Sequence, residues 1–94
     1  MARESANSAF TASGELQPSV IAGSQEIVAG SKLGNPSVIS ELTSDGSKIG
    51  DWAKYTTQTI RGPSGNFQVH YYMNNVTGSV NYNYDYKIVF TGGG

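Results

Sequence analysis

The stretch Gly65–Phe90, GNFQVHYYMNNVTGSVNYNYDYKIVF, alternates apolar and polar residues on both sides of a turn-forming segment. Residues 75–78, Asn-Val-Thr-Gly, predict a four-residue loop in which Gly78 takes a positive φ, because glycine adopts that conformation without strain. The two arms, about residues 66–74 and 79–90, are then antiparallel strands of one long hairpin. This hairpin is the strongest structural indication in the chain.

The loop sets the register, and the register assigns each side chain to a face of the hairpin. If Asn74 lies opposite Ser79, one face carries the apolar pairs Met73–Val80, Tyr71–Tyr82, Val69–Tyr84 and Phe67–Tyr86. The other face carries the polar pairs Tyr72–Asn81, His70–Asn83 and Gln68–Asp85, followed by Lys87. A slip of one residue would mix the two faces, so the pattern favours this alignment. We expect the first face to form the core and Tyr72 to be the main tyrosine left exposed.

A short helix is predicted over about residues 36–45, before the hairpin. Asn35 is a favoured N-cap and Pro36 suits the first helical position. Gly46 is suited to end the helix in a left-handed conformation. The threonine-rich segment 56–60 favours a strand, and residues 62–65, Gly-Pro-Ser-Gly, indicate a turn. The predicted fold is therefore α+β, with a short N-terminal helical part packed on a small antiparallel sheet that contains the long hairpin.

Residues 1–34 differ from the rest in being rich in Ala, Ser and Gly. They contain a near repeat, Val-Ile-Ala-Gly at 20–23 and Ile-Val-Ala-Gly at 27–30, which indicates either two short strands or two turns of a frayed helix. We interpret 1–34 as a linker or the remnant of a preceding segment, either loosely packed and partly ordered or mobile. Residues 35–94 are then the folded domain.

Charge and composition limit the partners that can be expected. The chain has a net charge of −1, but residues 47–94 hold four Lys or Arg and two Asp or Glu, so an anionic partner would meet this half. It has no cysteine, which excludes disulfides and thiolate zinc sites. No apolar stretch approaches the ~20 residues of a membrane span, so we expect no stable membrane association.

The polar face of the hairpin carries the one histidine of the chain, His70. A histidine in this setting is often only a hydrogen-bonded surface residue, but an imidazole also exchanges a proton near neutral pH, as general acid–base catalysis requires. RNA cleavage by its own 2′-hydroxyl needs a base, an acid and positive charge, and it needs no metal. The catalytic candidates are His70, Lys54, Lys87, Tyr72, Thr57 and Asp85, and the substrate-binding candidates are Arg61, Asn81 and Asn83. We expect no cofactor, since neither a phosphate-binding loop nor a dinucleotide fingerprint is present.

Four segments within residues 35–90 carry a resemblance to a known family: DWAKYTTQT (51–59), PSGNFQVHYY (63–72), NNVTG (74–78) and YDYKIVF (84–90). The block resembles the C-terminal toxin domains of bacterial polymorphic toxins, which stand at the tips of haemagglutinin-repeat, contact-dependent inhibition proteins. The resemblance implies an antibacterial domain that is secreted or delivered from the cell surface and acts in the cytoplasm of a target bacterium. It also implies a cognate immunity protein as partner, and residues 1–34 would be a pre-toxin segment.

Many such toxin tips are small α+β ribonucleases, so the resemblance implies a metal-independent endoribonuclease acting on tRNA or other RNA. Fold-level likeness does not fix function, however. The alternative is a non-catalytic interaction or adhesion module, in which the hairpin presents its polar face to a protein or a glycan.

Overall fold

The computed structural model describes residues 9–62 and 65–92 of the 94-residue chain. This part contains two short α-helices, α1 (Pro18–Ala22) and α2 (Pro36–Leu42). It contains six strands: β1 (Gln25–Ala29), β2 (Trp52–Thr56), β3 (Ile60–Gly62), β4 (Gly65–Asn74), β5 (Val80–Asn81) and β6 (Lys87–Gly92). Single 3-10 turns lie at Gly30–Lys32 and Ile49–Asp51. The predicted α+β class is confirmed. No helix in the described ranges is long and apolar enough to cross a membrane.

Strand β4 is the centre of one antiparallel sheet. Along one edge it pairs with β2 and, further on, with β3; along the other edge it pairs with β5 and then β6. Strand β1 extends the sheet by pairing with β2. Buried and partly exposed residues alternate along most of β4, because successive side chains of a strand point to opposite faces of the sheet.

Each face of the sheet has its own apolar core. On one face Leu16 lies against Phe67, Val69 and Tyr71, with side chains of α1 packed around them. On the other face Val38 and Leu42 of α2 lie against Trp52 and Tyr72. The expectation that Tyr72 would stay exposed is wrong, because α2 covers it and leaves only 4% of the residue accessible. The face predicted to be polar is thus half core and half polar surface.

Helix α2 begins where the sequence predicts. The Asn35 side chain accepts a hydrogen bond from the backbone N–H of Ser37 at 3.0 Å, which satisfies one of the unpaired donors of the first turn. The helix ends at Leu42, three residues before the predicted end, because the chain passes into turns over residues 43–45. Gly46 has φ +89°, the left-handed conformation expected of it.

The tight turn of the hairpin has the predicted form. Gly78 has φ +78°, and the backbone N–H of Asn74 donates to the carbonyl of Ser79 at 2.8 Å. The Asn74 side chain is buried and accepts hydrogen bonds from the backbone of Val76 and Thr77. Met73 pairs with Val80, as expected from the loop length. The register near the turn is therefore confirmed.

Beyond Asn81 the predicted register is wrong. Phe67 pairs with Phe90 rather than Tyr86, and Val69 pairs with Ile88 rather than Tyr84, a displacement of four residues. Residues 82–86 leave the sheet as a loop, because the Asn81 side chain accepts the backbone N–H groups of Asn83 and Tyr84 at 3.0 Å each. Such side-chain hydrogen bonds offer the backbone an alternative to the ladder.

The displacement leaves every later side chain on its predicted face, because four is an even number and side chains alternate with a period of two. Ile88 and Phe90 still belong to the face that carries Val69. Lys87 lies opposite His70 on the other face. The loop itself is divided between the two faces: Tyr86 packs at the first core and Tyr84 at the second.

The described part of the N-terminal segment belongs to the same sheet and core. Leu16 is buried, and its backbone N–H donates to the Tyr82 hydroxyl at 3.1 Å. Of the near repeat, the first copy ends helix α1 and the second lies in strand β1, so neither of the two alternatives applies to both copies. The boundary predicted at residue 34 therefore falls within one sheet.

Gly30 allows β1 to end against the chain that enters β2. A Cβ atom at this position would lie 2.0 Å from the carbonyl oxygen of Ile49 and 2.2 Å from that of Trp52, and both are backbone atoms. The close approach of these segments thus requires glycine.

We predict that Gly30→Ala lowers the free energy of unfolding by about 3 kcal/mol, at the upper end of overpacking effects, because the neighbouring backbone must move. Gly34→Ala is the matched control, since a Cβ there meets nothing within 4 Å and the glycine has no positive φ. Urea denaturation of both variants measures the difference. A Gly30→Ala protein as stable as the Gly34→Ala protein contradicts the close approach.

Candidate functional site

His70 lies near the middle of β4, between polar side chains of both neighbouring strands. It pairs with Thr56 of β2 on one side and with Lys87 of β6 on the other, so all three side chains share one face. Directly opposed residues of antiparallel strands have Cβ atoms about 5 Å apart. The sheet therefore places a lysine next to the imidazole. The His70 cluster, as we use the term, consists of His70, Lys54, Lys87, Asp85 and Tyr72.

Asp85 connects the two lysines of the cluster. Its carboxylate accepts from Lys54 Nζ at 3.1 Å and lies 3.2 Å from Lys87 Nζ. Burial alone would raise the pKa of Asp85, but the hydrogen bonds from both ammonium groups outweigh it and lower the pKa. Asp85 reaches this position from the loop 82–86, where it adopts a left-handed φ of 55°.

Tyr72 forms the floor of the cluster. Its ring lies under Lys54, with Nζ 5.7 Å from the ring centroid, a cation–π geometry. Burial and the nearby charge of Asp85 raise the pKa of its phenol, which therefore stays protonated at neutral pH. The neighbouring Lys54 is also shielded, with 18% of its side chain exposed, whereas Lys87 is 52% exposed.

The cluster keeps His70 uncharged at neutral pH. Burial lowers the pKa of the imidazole, and the positive charges of Lys54 and Lys87 lower it further. The charge of Asp85 acts in the opposite direction but does not outweigh them. A neutral imidazole can accept a proton directly, because it does not have to lose a proton first. The two ammonium groups beside it can bind an anion.

Thr57 does not belong to the cluster. Its residue is 2% exposed, and its hydroxyl accepts the backbone N–H of Val69 at 3.0 Å and donates to the carbonyl of Gln58 at 2.9 Å. The hydroxyl replaces a backbone carbonyl where the chain passes from β2 to β3 and the ladder is interrupted. Thr57, one of the catalytic candidates predicted from the sequence, is therefore a structural residue.

The three substrate-binding candidates lie at different places. Arg61 is exposed and pairs with Asn66, four residues from His70 along β4 and thus roughly 13 Å away. Asn81 pairs with Tyr72 beside the cluster, but its amide holds the loop and contacts Glu41 of α2 at 3.4 Å. Asn83 is exposed in the loop. The structure thus brings none of the three into the cluster.

Thr56 is a neighbour of His70 that is not among the candidates predicted from the sequence. It lies directly opposite His70, whereas the predicted candidate Thr57 does not. The alternation of strand side chains could have found it, since Lys54 and Thr56 are two residues apart and so share a face, while Thr57 does not.

The side chains of the cluster range from the buried Tyr72 to Lys87, which is about half exposed. Two depressions in the described part of the chain lie elsewhere. One, of about 150 Å³, is lined by residues of α1 and of the segment 58–60; the other, wider one lies between α2 and Tyr84. Among residues 9–62 and 65–92, no group of three or more His, Cys, Asp or Glu side chains is arranged to hold a metal ion.

Comparison of the chain with protein-family models, curated proteins and solved structures found no match. The described part of the chain is an α+β domain with a six-stranded antiparallel sheet and a lysine–aspartate–histidine cluster on one face. The toxin resemblance stays a prediction from the sequence motifs.

For Thr57 we predict that Thr57→Val costs about 1–3 kcal/mol of stability, because the Val69 N–H is left buried without a partner. Thr57→Ser, which retains the hydroxyl, should lose clearly less. Chemical denaturation of the two variants tests this, and equal stabilities would show that the hydroxyl is not needed at this point.

A second prediction concerns the pH dependence of stability. The pKa of His70 is lower in the folded than in the unfolded state, so the unfolded state binds the proton more readily. Stability should therefore fall as the pH drops below about 6.5, the ordinary pKa of histidine. His70→Gln removes this group and should flatten the change in urea midpoint between pH 7.5 and 5.5. An equally steep change in the variant would show that groups other than His70 cause the pH dependence. Asp85 does not contribute between pH 7.5 and 5.5, because its pKa is lowered below the ordinary value of an aspartate.

Proposed function

We propose that the chain is an antibacterial toxin domain that cleaves RNA without a metal ion, with the His70 cluster as its active site. The observation that carries this proposal is the contact set of the cluster: His70 lies opposite Lys87, and Asp85 is joined to both Lys54 and Lys87. These surroundings lower the pKa of the imidazole, which favours its uncharged form. Proton transfer and fixed positive charge are the two elements that cleavage by a neighbouring 2′-hydroxyl requires.

In the proposed reaction, neutral His70 takes the proton of a ribose 2′-hydroxyl. The 2′-oxygen then bonds to the adjacent phosphorus while the bond from phosphorus to the 5′-oxygen breaks. Lys87, the more exposed of the two lysines, gives a proton to the leaving 5′-oxygen. The products are a 2′,3′-cyclic phosphate and a 5′-hydroxyl, and water restores the protonation states of both residues. Lys54 stabilises the charge of the phosphate oxygens throughout.

Asp85 has a double effect in this scheme. It holds the ammonium groups of Lys54 and Lys87 beside His70, and it also neutralises part of their charge. With His70 neutral, the three charged groups sum to a single positive charge, which matches one phosphate of a substrate rather than a long stretch of backbone. This suits an enzyme that meets its RNA at one site and makes few other ionic contacts.

The resemblance of residues 35–90 to contact-dependent inhibition toxin domains gives the setting of the proposal. The domain would be delivered into a neighbouring bacterium and cleave tRNA or other RNA in its cytoplasm. A cognate immunity protein in the producing cell would then cover the open face that carries the cluster. An acidic binding surface on that partner would complement Lys54 and Lys87.

We predict that purified wild-type protein cleaves total bacterial RNA to products with 2′,3′-cyclic phosphate ends in the presence of a chelator. His70→Ala should lower the rate by about 10²-fold or more, the usual contribution of a general base. Gln68→Ala is the matched control, because Gln68 lies two residues away on the same face of β4 and outside the cluster. Gel analysis and end-group mapping measure both.

Lys54→Gln should also lower the rate, whereas Lys32→Gln, which changes an exposed lysine of a 3-10 turn, should not. RNA that stays intact with the wild-type protein contradicts the ribonuclease. If expression in a host without immunity protein arrests growth while the RNA stays intact, the chain is a toxin with another activity. Absence of both cleavage and growth arrest favours the alternative, a non-catalytic interaction module.

A further inference from the structure

Strand β6 forms an outer edge of the sheet and carries two large apolar side chains that the core does not cover. Within the described residues it pairs only with β4. Ile88 is 51% exposed and Phe90 is 61% exposed, and both belong to the same face. Every second residue of an edge strand also leaves its backbone N–H and C=O without a partner in the sheet. An apolar strand with these features is a template for pairing with another strand.

The opposite edge of the sheet also carries an exposed apolar residue, Ile27, but it has features that oppose strand pairing. Strand β1 has an irregular register between Glu26 and Val28, and Glu26 is an exposed charge in the strand. Bulges and charges are the common means by which edge strands avoid pairing. Strand β6 is regular from Lys87 to Phe90, with its bulge only at Thr91, and its charged residue Lys87 lies on the other face, held by Asp85.

The spacing of Ile88 and Phe90 favours a second copy of the same chain as the partner of β6. If two copies of β6 pair antiparallel about Val89, then Ile88 of each copy lies directly opposite Phe90 of the other, on one face. Cross-strand pairs of aromatic and β-branched residues are among the favourable ones. Lys87 then lies opposite Thr91, so no two like charges meet. We propose that the chain forms a symmetric dimer through β6, with Ile88 and Phe90 as the reciprocal contact.

The dimer would join the two six-stranded sheets into one. The symmetry axis is perpendicular to the sheet, so the same face of each copy points the same way. The strand spacing and the rise per residue put the two His70 residues about 20 Å apart on that common face. This inference does not depend on the proposed function, since it rests on the other face and on the edge.

The first test measures the oligomeric state of the chain by sedimentation velocity over a range of concentrations. Wild-type protein should show twice the monomer mass, and Phe90→Lys should weaken the dimer by at least about tenfold, because it buries an unpaired charge. Ile27→Lys is the control: Ile27 is 45% exposed on β1, at the opposite edge. Far-UV circular dichroism checks that both variants are folded. A monomer at all concentrations, or a dimer that Ile27→Lys disrupts and Phe90→Lys does not, overturns the proposal.

The second test fixes the register. Ile88→Lys and Phe90→Glu should each weaken the dimer, and the double variant should restore it, because each new lysine lies opposite a new glutamate of the other copy. Pairing about Ile88 would instead set lysine against lysine. A double variant that stays monomeric although both singles weaken the dimer overturns this register. If these variants lose the dimer but still cleave RNA at the wild-type rate, the dimer and the ribonuclease activity are independent of each other.

Discussion

The C-terminal part of strand β4, from Tyr71 to Asn74, has buried side chains on both of its faces, and the remaining elements are arranged around this constraint. Val69 and Tyr71 are 0% exposed on one face, while Tyr72 and Asn74 are nearly as deeply buried on the other. A sheet with one covered face would leave the apolar residues of either α1 or α2 in water. A chain of this size can build only a small core, so the two short helices each pack on a face of the same strand.

The loop 82–86 depends on the same arrangement. Its tyrosines alternate between the two cores, since Tyr82 and Tyr86 make an edge-to-face contact near the first core and Tyr84 packs at the second. The loop thus crosses the edge of the sheet and is fixed on both sides. Asp85 lies within this anchored segment, which explains how a residue with a left-handed φ can be held against Lys54 and Lys87. The candidate site is therefore a consequence of the loop packing as much as of the sheet.

Much of the fold could be predicted from the sequence, and each wrong prediction has an identifiable physical cause. The α+β class, the N-cap at Asn35 and the turn at Gly78 follow from local chemistry that a sequence displays. The loop could not be foreseen from alternation, because Asn81 captures two backbone N–H groups that a regular ladder would have used. The burial of Tyr72 also depended on where α2 packs, and that is a tertiary choice which no local pattern specifies.

The candidate site survived the wrong register because side-chain direction is more robust than pairing. Any even displacement would have kept Lys87 on the face of His70, whereas an odd one would have moved it to the opposite face. Which residue lies opposite which is set by loop geometry, and the charge state of His70 depends on that geometry. Burial lowers the pKa of His70, and the two nearby lysines lower it further, while Asp85 binds the lysines rather than the imidazole. The alternation of strand residues predicts which side chains share the face of His70. Their charge states depend on the contacts that the folded loop makes with Lys54 and Lys87.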